Sequence, residues 1–260
     1  MPELPEVEHA VRRLRPAVVG RRLTEVQTHH ASARRALPAA DAASLAGCVV
    51  ASVERRGKHQ LLHLDDGRVL HAHFRMNGDW AMTAAADPHP PHTRATLAFD
   101  DRTAVHLVDS RALATIVVRP AGYAPAALGP DATDPRFDVD VLAAGLRGRR
   151  AAVKPALLDQ RVVAGVGNIY AAEALWRAAI DPRVPAARLG PARRARLVEA
   201  IRATLADALA DAGRYQDGEA VDRLAVYDRE GAPCRRCSAP IRRIVQAGRS
   251  TYFCPGCQRR

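Results

Sequence analysis

From Pro5 to Gly20 the apolar positions Val7, Val11, Leu14 and Val18 recur at helical spacing, which predicts one amphipathic helix with Pro16 kinking or tightening its last turn. After Gly20 the period shortens. Alternating or wholly apolar runs at 23–26, 49–53, 60–64, 69–74, 95–99, 104–108 and 114–118 predict short strands, and Asp65-Asp66-Gly67 and Asp100-Asp101 predict tight turns between them. That spacing points to an antiparallel sandwich or barrel. Residues 84–91 form a polar, proline-rich loop, and 120–135 look like a linker between domains. Beyond the linker the pattern turns helical, with Ile169, Ala172, Trp176 and Ala179 on one face and Leu197, Ile201, Leu205 and Leu209 on another. Gly165-Val166-Gly167-Asn168 leads into the first of these helices. Its glycines permit a tight turn, Asn168 is placed to cap a helix beginning at Ile169, and such a helix start offers N–H groups to a phosphate. Residues 241–246 and 250–253 predict two strands around Ala247-Gly248-Arg249.

A chain of 260 residues can bury a real core, as one large domain or two to three smaller ones. No apolar run approaches the ~20 residues of a membrane helix and no signal peptide is evident, so we expect a cytoplasmic, nucleoid-associated protein. Lys plus Arg is 39 against 28 for Asp plus Glu, a net charge of +11, which makes a polyanion the leading partner and nucleic acid the first choice. Only two of the 39 basic residues are lysines, Lys58 and Lys154. A compact ammonium retained where arginine serves everywhere else marks both as site candidates.

Chemistry concentrates at the two ends of the chain. Cys234-x2-Cys237 and, sixteen residues later, Cys254-x2-Cys257 are two thiolate knuckles suited to one tetrahedral, structural zinc with no open position. From Cys234 to the end there are seven arginines and no acid, so the clip presents cations, with Arg249 at the hairpin tip suited to a phosphate or a groove. Cys48 reads as a buried thiol. His71 and His73 share a strand face, and His29, His30, His89 and His92 fall in loops; with no clear third ligand, none is assigned to metal. At the amino end, removal of Met1 would free the secondary amine of Pro2, a candidate nucleophile beside Glu3 and Glu6. The plainer alternative is a helix start, with proline in the first turn and acids at the positive end.

Taken together these residues resemble the formamidopyrimidine-DNA glycosylase and endonuclease VIII family over essentially the whole chain. The resemblance rests on Met1-Pro2-Glu3-Leu4-Pro5-Glu6, Lys58 after Arg55-Arg56-Gly57, Met76 in His73-Phe74-Arg75-Met76, Leu128-Gly129-Pro130, Asp159-Gln160 through Gly165-Val166-Gly167-Asn168-Ile169-Tyr170, and the four cysteines with Gly248-Arg249-Ser250-Thr251. It implies an α+β multidomain fold: an antiparallel β-sandwich with its N-terminal helix over 1–130, a helix-two-turns-helix domain over 131–222 and a four-cysteine zinc-finger β-hairpin over 223–260. It also implies a bifunctional DNA glycosylase and AP lyase of base excision repair. Pro2 would attack the sugar and form a Schiff base, Glu3 would move protons, Glu6 would support that site, and Lys58, counted with this catalytic group, would hold a phosphate flanking the lesion. Met76, Arg111 and Leu113 would fill the gap left by the lesion, while Lys154, Asn168 and Arg249 would meet DNA near it. The partner would be double-stranded DNA carrying damaged bases or abasic sites, bound by a monomer without a membrane.

Where the purine-type branch usually shows Asp-Pro-Arg-Arg-Phe-Gly, this chain has Asp109-Ser110-Arg111-Ala112-Leu113-Ala114, which makes an aromatic wedge aliphatic. The stretch 213–224 also looks shorter than the loop covering 8-oxoguanine in that branch, which leans towards oxidised pyrimidines or a lineage-specific lesion; Lys154, Arg111 and the opening lean the other way. A damage-binding protein without excision stays open beside the enzyme.

Overall fold

The computed structural model describes residues 2–210 and 223–259. The chain parts into two compact units, Met1–Ala126 and Ala127–Arg260, a division that falls inside the expected linker.

The first unit opens with α1 (Leu4–Val18), whose Leu4, Val7, Ala10, Val11, Leu14 and Val18 form one buried stripe. Ten further elements follow: β1 (Leu23–Thr28), α2 (Ala31–Ala36), α3 (Ala39–Ala43), β2 (Val50–Arg56), β3 (His59–Leu64), β4 (Val69–His73), β5 (Asp79–Ala84), β6 (Thr93–Phe99), β7 (Thr103–Val108) and β8 (Thr115–Arg119). The strands make two four-stranded antiparallel sheets, β1-β6-β7-β5 and β2-β3-β4-β8, as the expected sandwich requires. Their inward residues, among them Val53, Leu62, Leu70, Leu97, Val105 and Ile116, share one core with Val7, Ala10, Val11, Leu14 and Val18 of α1. Trp80 Nε1 donates to Gln60 Oε1 at 2.5 Å inside that core.

Two local features explain where strand periodicity misleads. In β1 and β2 the buried residues are three apart, Leu23 with Val26 and Val50 with Val53, because each strand carries an irregular register step that inserts one extra residue. Strand β5 buries only Trp80, so it leaves no alternation to detect.

The second unit contains α4 (Val139–Leu146), α5 (Val153–Leu158), α6 (Asn168–Arg177), α7 (Pro191–Ala210) and the hairpin β9 (Arg242–Gln246) and β10 (Arg249–Phe253). Asp138 caps α4 by accepting the Val141 N–H at 2.8 Å. Glu173, buried on α6, gathers the chain at 225–227 by accepting the N–H groups of Ala225, Val226 and Tyr227 at 2.8, 3.0 and 2.8 Å. The hairpin shares a small core with α6, in which Ala172 meets Val226, Cys234, Ile241, Tyr252 and Cys254. The β9–β10 turn is Ala247-Gly248, both at positive φ (47° and 73°), the geometry of a two-residue hairpin loop. Among the described residues no helix is long and apolar enough to cross a membrane.

The Leu128-Gly129-Pro130 motif has a steric cause. Gly129 N–H donates to the Gln160 carbonyl at 2.8 Å, and a Cβ on Gly129 would lie 2.5 Å from the Arg161 carbonyl oxygen. Because the obstacle is backbone, Gly129→Ala should cost about 1–3 kcal/mol, the usual range for overpacking. A lowered urea midpoint with an unchanged m-value would report it.

Candidate active site

Pro2 is buried and Glu3 is 1% exposed. Glu3 occupies the N-cap of α1, and its N–H donates to Glu6 Oε2 at 2.8 Å, so Glu6 closes half of a capping box at the positive end of the helix. The segment is a helix start, as the plainer alternative has it, and that start is what fixes the two acids beside Pro2. Met1 lies outside the described residues.

Lys58, 8% exposed, follows Gly57 (φ 57°) in the turn from β2 to β3. Arg55 ties that turn to α1, its Nε donating to Glu8 Oε2 at 2.7 Å and an outer nitrogen to the Gly57 carbonyl at 3.0 Å. Burial pushes the Glu8 carboxyl up, but Arg55 and Arg12 together hold it below its ordinary value, so the link is ionic at neutral pH. Beside Lys58 lies a bed of imidazoles. His59 Nδ1 is 2.8 Å from His71 Nε2, His71 Nδ1 is 3.3 Å from the Tyr123 hydroxyl, and His73 Nδ1 accepts the Arg75 N–H at 2.9 Å. Burial first, then neighbouring positive groups including Arg75, push His59 to about 4, His71 to about 4 and His73 to about 3.

The three expected wedge residues sit on two fastened loops. Asp109, 1% exposed, accepts the N–H of Arg111 at 3.0 Å, of Leu113 at 2.6 Å and of Ala114 at 2.7 Å. The loop it organises projects Arg111 and a Leu113 that is 44% exposed. Asn77 Nδ2 donates to Ser110 Oγ at 2.7 Å, joining this loop to the one that carries Met76, 37% exposed. Large apolar side chains left in water on braced backbone are the form a wedge requires.

In the second unit Lys154 is 1% exposed, and its ammonium donates to Asn168 Oδ1 at 2.5 Å, Thr251 Oγ1 at 2.9 Å and the Ser250 carbonyl at 3.2 Å. Asn168 Nδ2 also donates to the Ser250 carbonyl, at 3.0 Å. Asn168 is thus the first residue of α6 and does not cap it; Gly167 holds the cap position, and the Asn168 side chain is spent on Lys154 and β10. This knot orients the hairpin whose tip carries the exposed Arg249.

The four cysteine sulfurs lie within 4.8 Å of one another, with Cys234 to Cys257 at 3.8 Å and Cys237 to Cys254 at 3.4 Å. A tetrahedral ion with Zn–S bonds of about 2.3 Å needs sulfur separations of about 3.8 Å, so the set fits one structural zinc. N–H groups of Arg236 and Trp176 point at Cys234 Sγ, and that of Cys257 at Cys254 Sγ, each at 3.4 Å, as thiolates require. Gly256 is obligatory here, because a Cβ would lie 2.9 Å from Cys237 Sγ. Cys48 is a buried thiol as expected, 3.5 Å from Asp66 Oδ2, and burial pushes it up.

Sequence reasoning gave no role to Asp109, Glu8, Arg55 or Glu173. Each is a charged side chain spent on backbone or on an opposite charge, and only Glu173, an isolated acid among the apolar residues of α6, carries a sequence signal that could have pointed to it. The expected short stretch 213–224 lies, up to residue 222, outside the described residues.

Comparison with known proteins agrees with this architecture. The chain matches the formamidopyrimidine-DNA glycosylase N-terminal domain over residues 1–116, the H2TH domain of the same enzymes over 128–217 and the zinc finger found in FPG and IleRS over 231–260. It is 41% identical over 277 aligned positions to the formamidopyrimidine-DNA glycosylase of Bordetella petrii and 42% identical over 275 to that of Rhizorhabdus wittichii, covering 100% of both chains each time. Among solved structures it resembles the Lactococcus lactis enzyme bound to AP-site DNA (TM-score 0.91, 30% identity, 99% of this chain and 100% of that one). It also resembles a MutM complex with DNA containing carbocyclic 8-oxo-G (TM-score 0.90, 31% identity, 100% of both chains). The chain belongs to the formamidopyrimidine-DNA glycosylase family.

The histidines beside Lys58 titrate below their ordinary 6.5 in the folded chain, so between pH 6.5 and about 4 the unfolded chain binds more protons. Their contribution is intact above pH 6.5 and stability falls as pH drops through that window; urea midpoints should decline from pH 7.5 to 5, less steeply in His71→Gln. The purified protein should carry one zinc per chain at the cysteines, and Cys254→Ser should lose it by elemental analysis, with a less stable second unit.

Proposed function

We propose that the protein is a bifunctional DNA glycosylase and AP lyase of base excision repair, acting as a monomer on double-stranded DNA in the nucleoid. The observation that carries the reading is the buried start of α1, where Glu3 and Glu6 are fixed beside Pro2 and Lys58 is tied to the same helix through Arg55 and Glu8. Relatives named for formamidopyrimidine excision, and solved relatives bound to AP-site and 8-oxo-G DNA, support oxidised or ring-opened purines as the substrate class.

With Met1 removed, the Pro2 nitrogen attacks C1′ of the lesion nucleotide and the bond from C1′ to the base breaks. The base leaves with a proton, and Glu3 supplies protons at the sugar or the leaving base. The aminal left at C1′ then expels O4′, which takes a proton from Glu3 as the sugar ring opens, and the resulting iminium acidifies the neighbouring C2′–H, so its loss expels the 3′ phosphate by β-elimination and a second loss expels the 5′ phosphate by δ-elimination. Glu6 holds Glu3, and Lys58 grips a phosphate beside the lesion. Met76, Arg111 and Leu113 occupy the vacated stack. Lys154 acts on DNA through the groups it positions, Asn168 and the hairpin that bears Arg249. Residues 1–130 carry the chemistry, 131–222 and 223–260 the grip.

Borohydride trapping on duplexes carrying 8-oxoguanine, formamidopyrimidine, dihydrouracil or an abasic site tests this. The wild type should give a covalent adduct, most with an oxidised or ring-opened purine, and Pro2→Gly should reduce it at least tenfold while leaving duplex affinity within about twofold. No adduct even on the abasic duplex would leave a damage-binding protein.

A further inference from the structure

Strand β6 carries an extra residue where it meets β7. Thr93 pairs with Val108 and Ala95 with Leu107, which leaves Arg94 between them as the inserted position. A bulge of this kind re-aims a side chain. Here the Arg94 Nε–H donates to the Asp109 carbonyl at 2.7 Å, while the Asp109 N–H donates to the His92 carbonyl at 3.1 Å. Asp109, whose carboxylate collects the N–H groups of Arg111, Leu113 and Ala114, is thereby held by both ends of its own main chain. The proposed reaction gives Arg94 no part.

We infer that Arg94 is a positioning residue: by gripping the Asp109 carbonyl it sets the loop that bears Arg111 and Leu113, and with it the entry of those side chains into the base stack. This rests on the reading in which they fill the gap left by the lesion. The loop needs an outside tie. His92 and Ala112, on either side of Asp109, both stand at positive φ (64° and 55°), a backbone state that non-glycine residues keep only where their surroundings hold it. The turn from Asp109 closes on the same oxygen that Arg94 grips, since the Ala112 N–H donates to it at 3.1 Å. Arg94 is itself anchored in the sheet. Its carbonyl accepts the His29 N–H at 2.8 Å, and the His29 ring is fixed in turn by Thr96 Oγ1, 2.8 Å from its Nε2 and 3.0 Å from His106 Nδ1. The tie therefore runs from the loop, through the bulge, to residues of β6 and β7. Because the Nε–H goes to a main-chain oxygen and not to a carboxylate, the requirement is a donor at that atom, not a charge.

Two substitutions separate donor from charge. Glutamine carries an amide nitrogen the same number of bonds from Cα as the arginine Nε, so Arg94→Gln keeps the donor without the charge; Arg94→Met keeps the length and loses both. On the duplex lesion that the wild type excises best, Arg94→Met should slow single-turnover excision at least tenfold and Arg94→Gln less than about threefold. On a single-stranded abasic oligonucleotide there is no stack to fill, so borohydride trapping by all three proteins should agree within about twofold, which also reports an intact fold. A binding assay reads the loop without chemistry: with 2-aminopurine beside a tetrahydrofuran abasic analogue in duplex DNA, the fluorescence change on binding should fall at least twofold in Arg94→Met and stay near wild type in Arg94→Gln. A wild type that forms no adduct would sink the enzyme reading, and the inference would then stand or fall on the fluorescence alone. Equal losses in Arg94→Met and Arg94→Gln, an equal loss on duplex and single strand, or an unchanged fluorescence response in Arg94→Met would overturn it.

Discussion

An amine at the end of a chain is ordinarily among a protein's least constrained groups, and its usefulness depends on what holds the residues behind it. Here that is the apolar stripe of α1. Five side chains of α1, Val7, Ala10, Val11, Leu14 and Val18, enter the sandwich core, each fully buried valine or leucine contributing about 1.5–3 kcal/mol, and the helix cannot rotate or slide without exposing them. Glu3 and Glu6 inherit this rigidity through the capping geometry, and Lys58 inherits it through Arg55 and Glu8. The position of these groups is thus set by hydrophobic packing several residues away.

The second unit solves a related problem with polar groups. A buried ammonium costs several kcal/mol unless its protons find acceptors, and Lys154 finds a side-chain amide, a hydroxyl and a carbonyl. These come from α6 and β10, so satisfying one charge also locks the helix to the hairpin. Glu173 does the same for 225–227 with the opposite sign. The cysteine clip then closes a segment whose own core is too small to hold it.

Periodicity made α1, both central helices and most strands legible, and the knuckle spacing made the metal site legible, because each repeats a local rule. What escaped depended on partners distant in sequence. Asn168 has the composition of a helix cap, but Lys154 and Ser250 compete for its amide and win. His29 and His89 read as loop residues, and only the fold gathers them with His106 of β7 around the Thr96 hydroxyl. Strand β5 escaped because an edge strand with a single buried side chain has no pattern. Asp109 was visible as part of a motif, yet only the fold reveals that its carboxylate collects three N–H groups and so shapes the loop that bears Arg111 and Leu113.

Both lysines of this chain are interior groups, which leaves arginine as the source of its surface positive charge. A guanidinium stays protonated at any pH a cell reaches and is not a substrate for acylation at an amine. The electrostatic part of this protein's hold on a polyanion is accordingly set at synthesis: it responds to ionic strength, but neither mild alkali nor lysine acetylation has a surface ammonium on which to act.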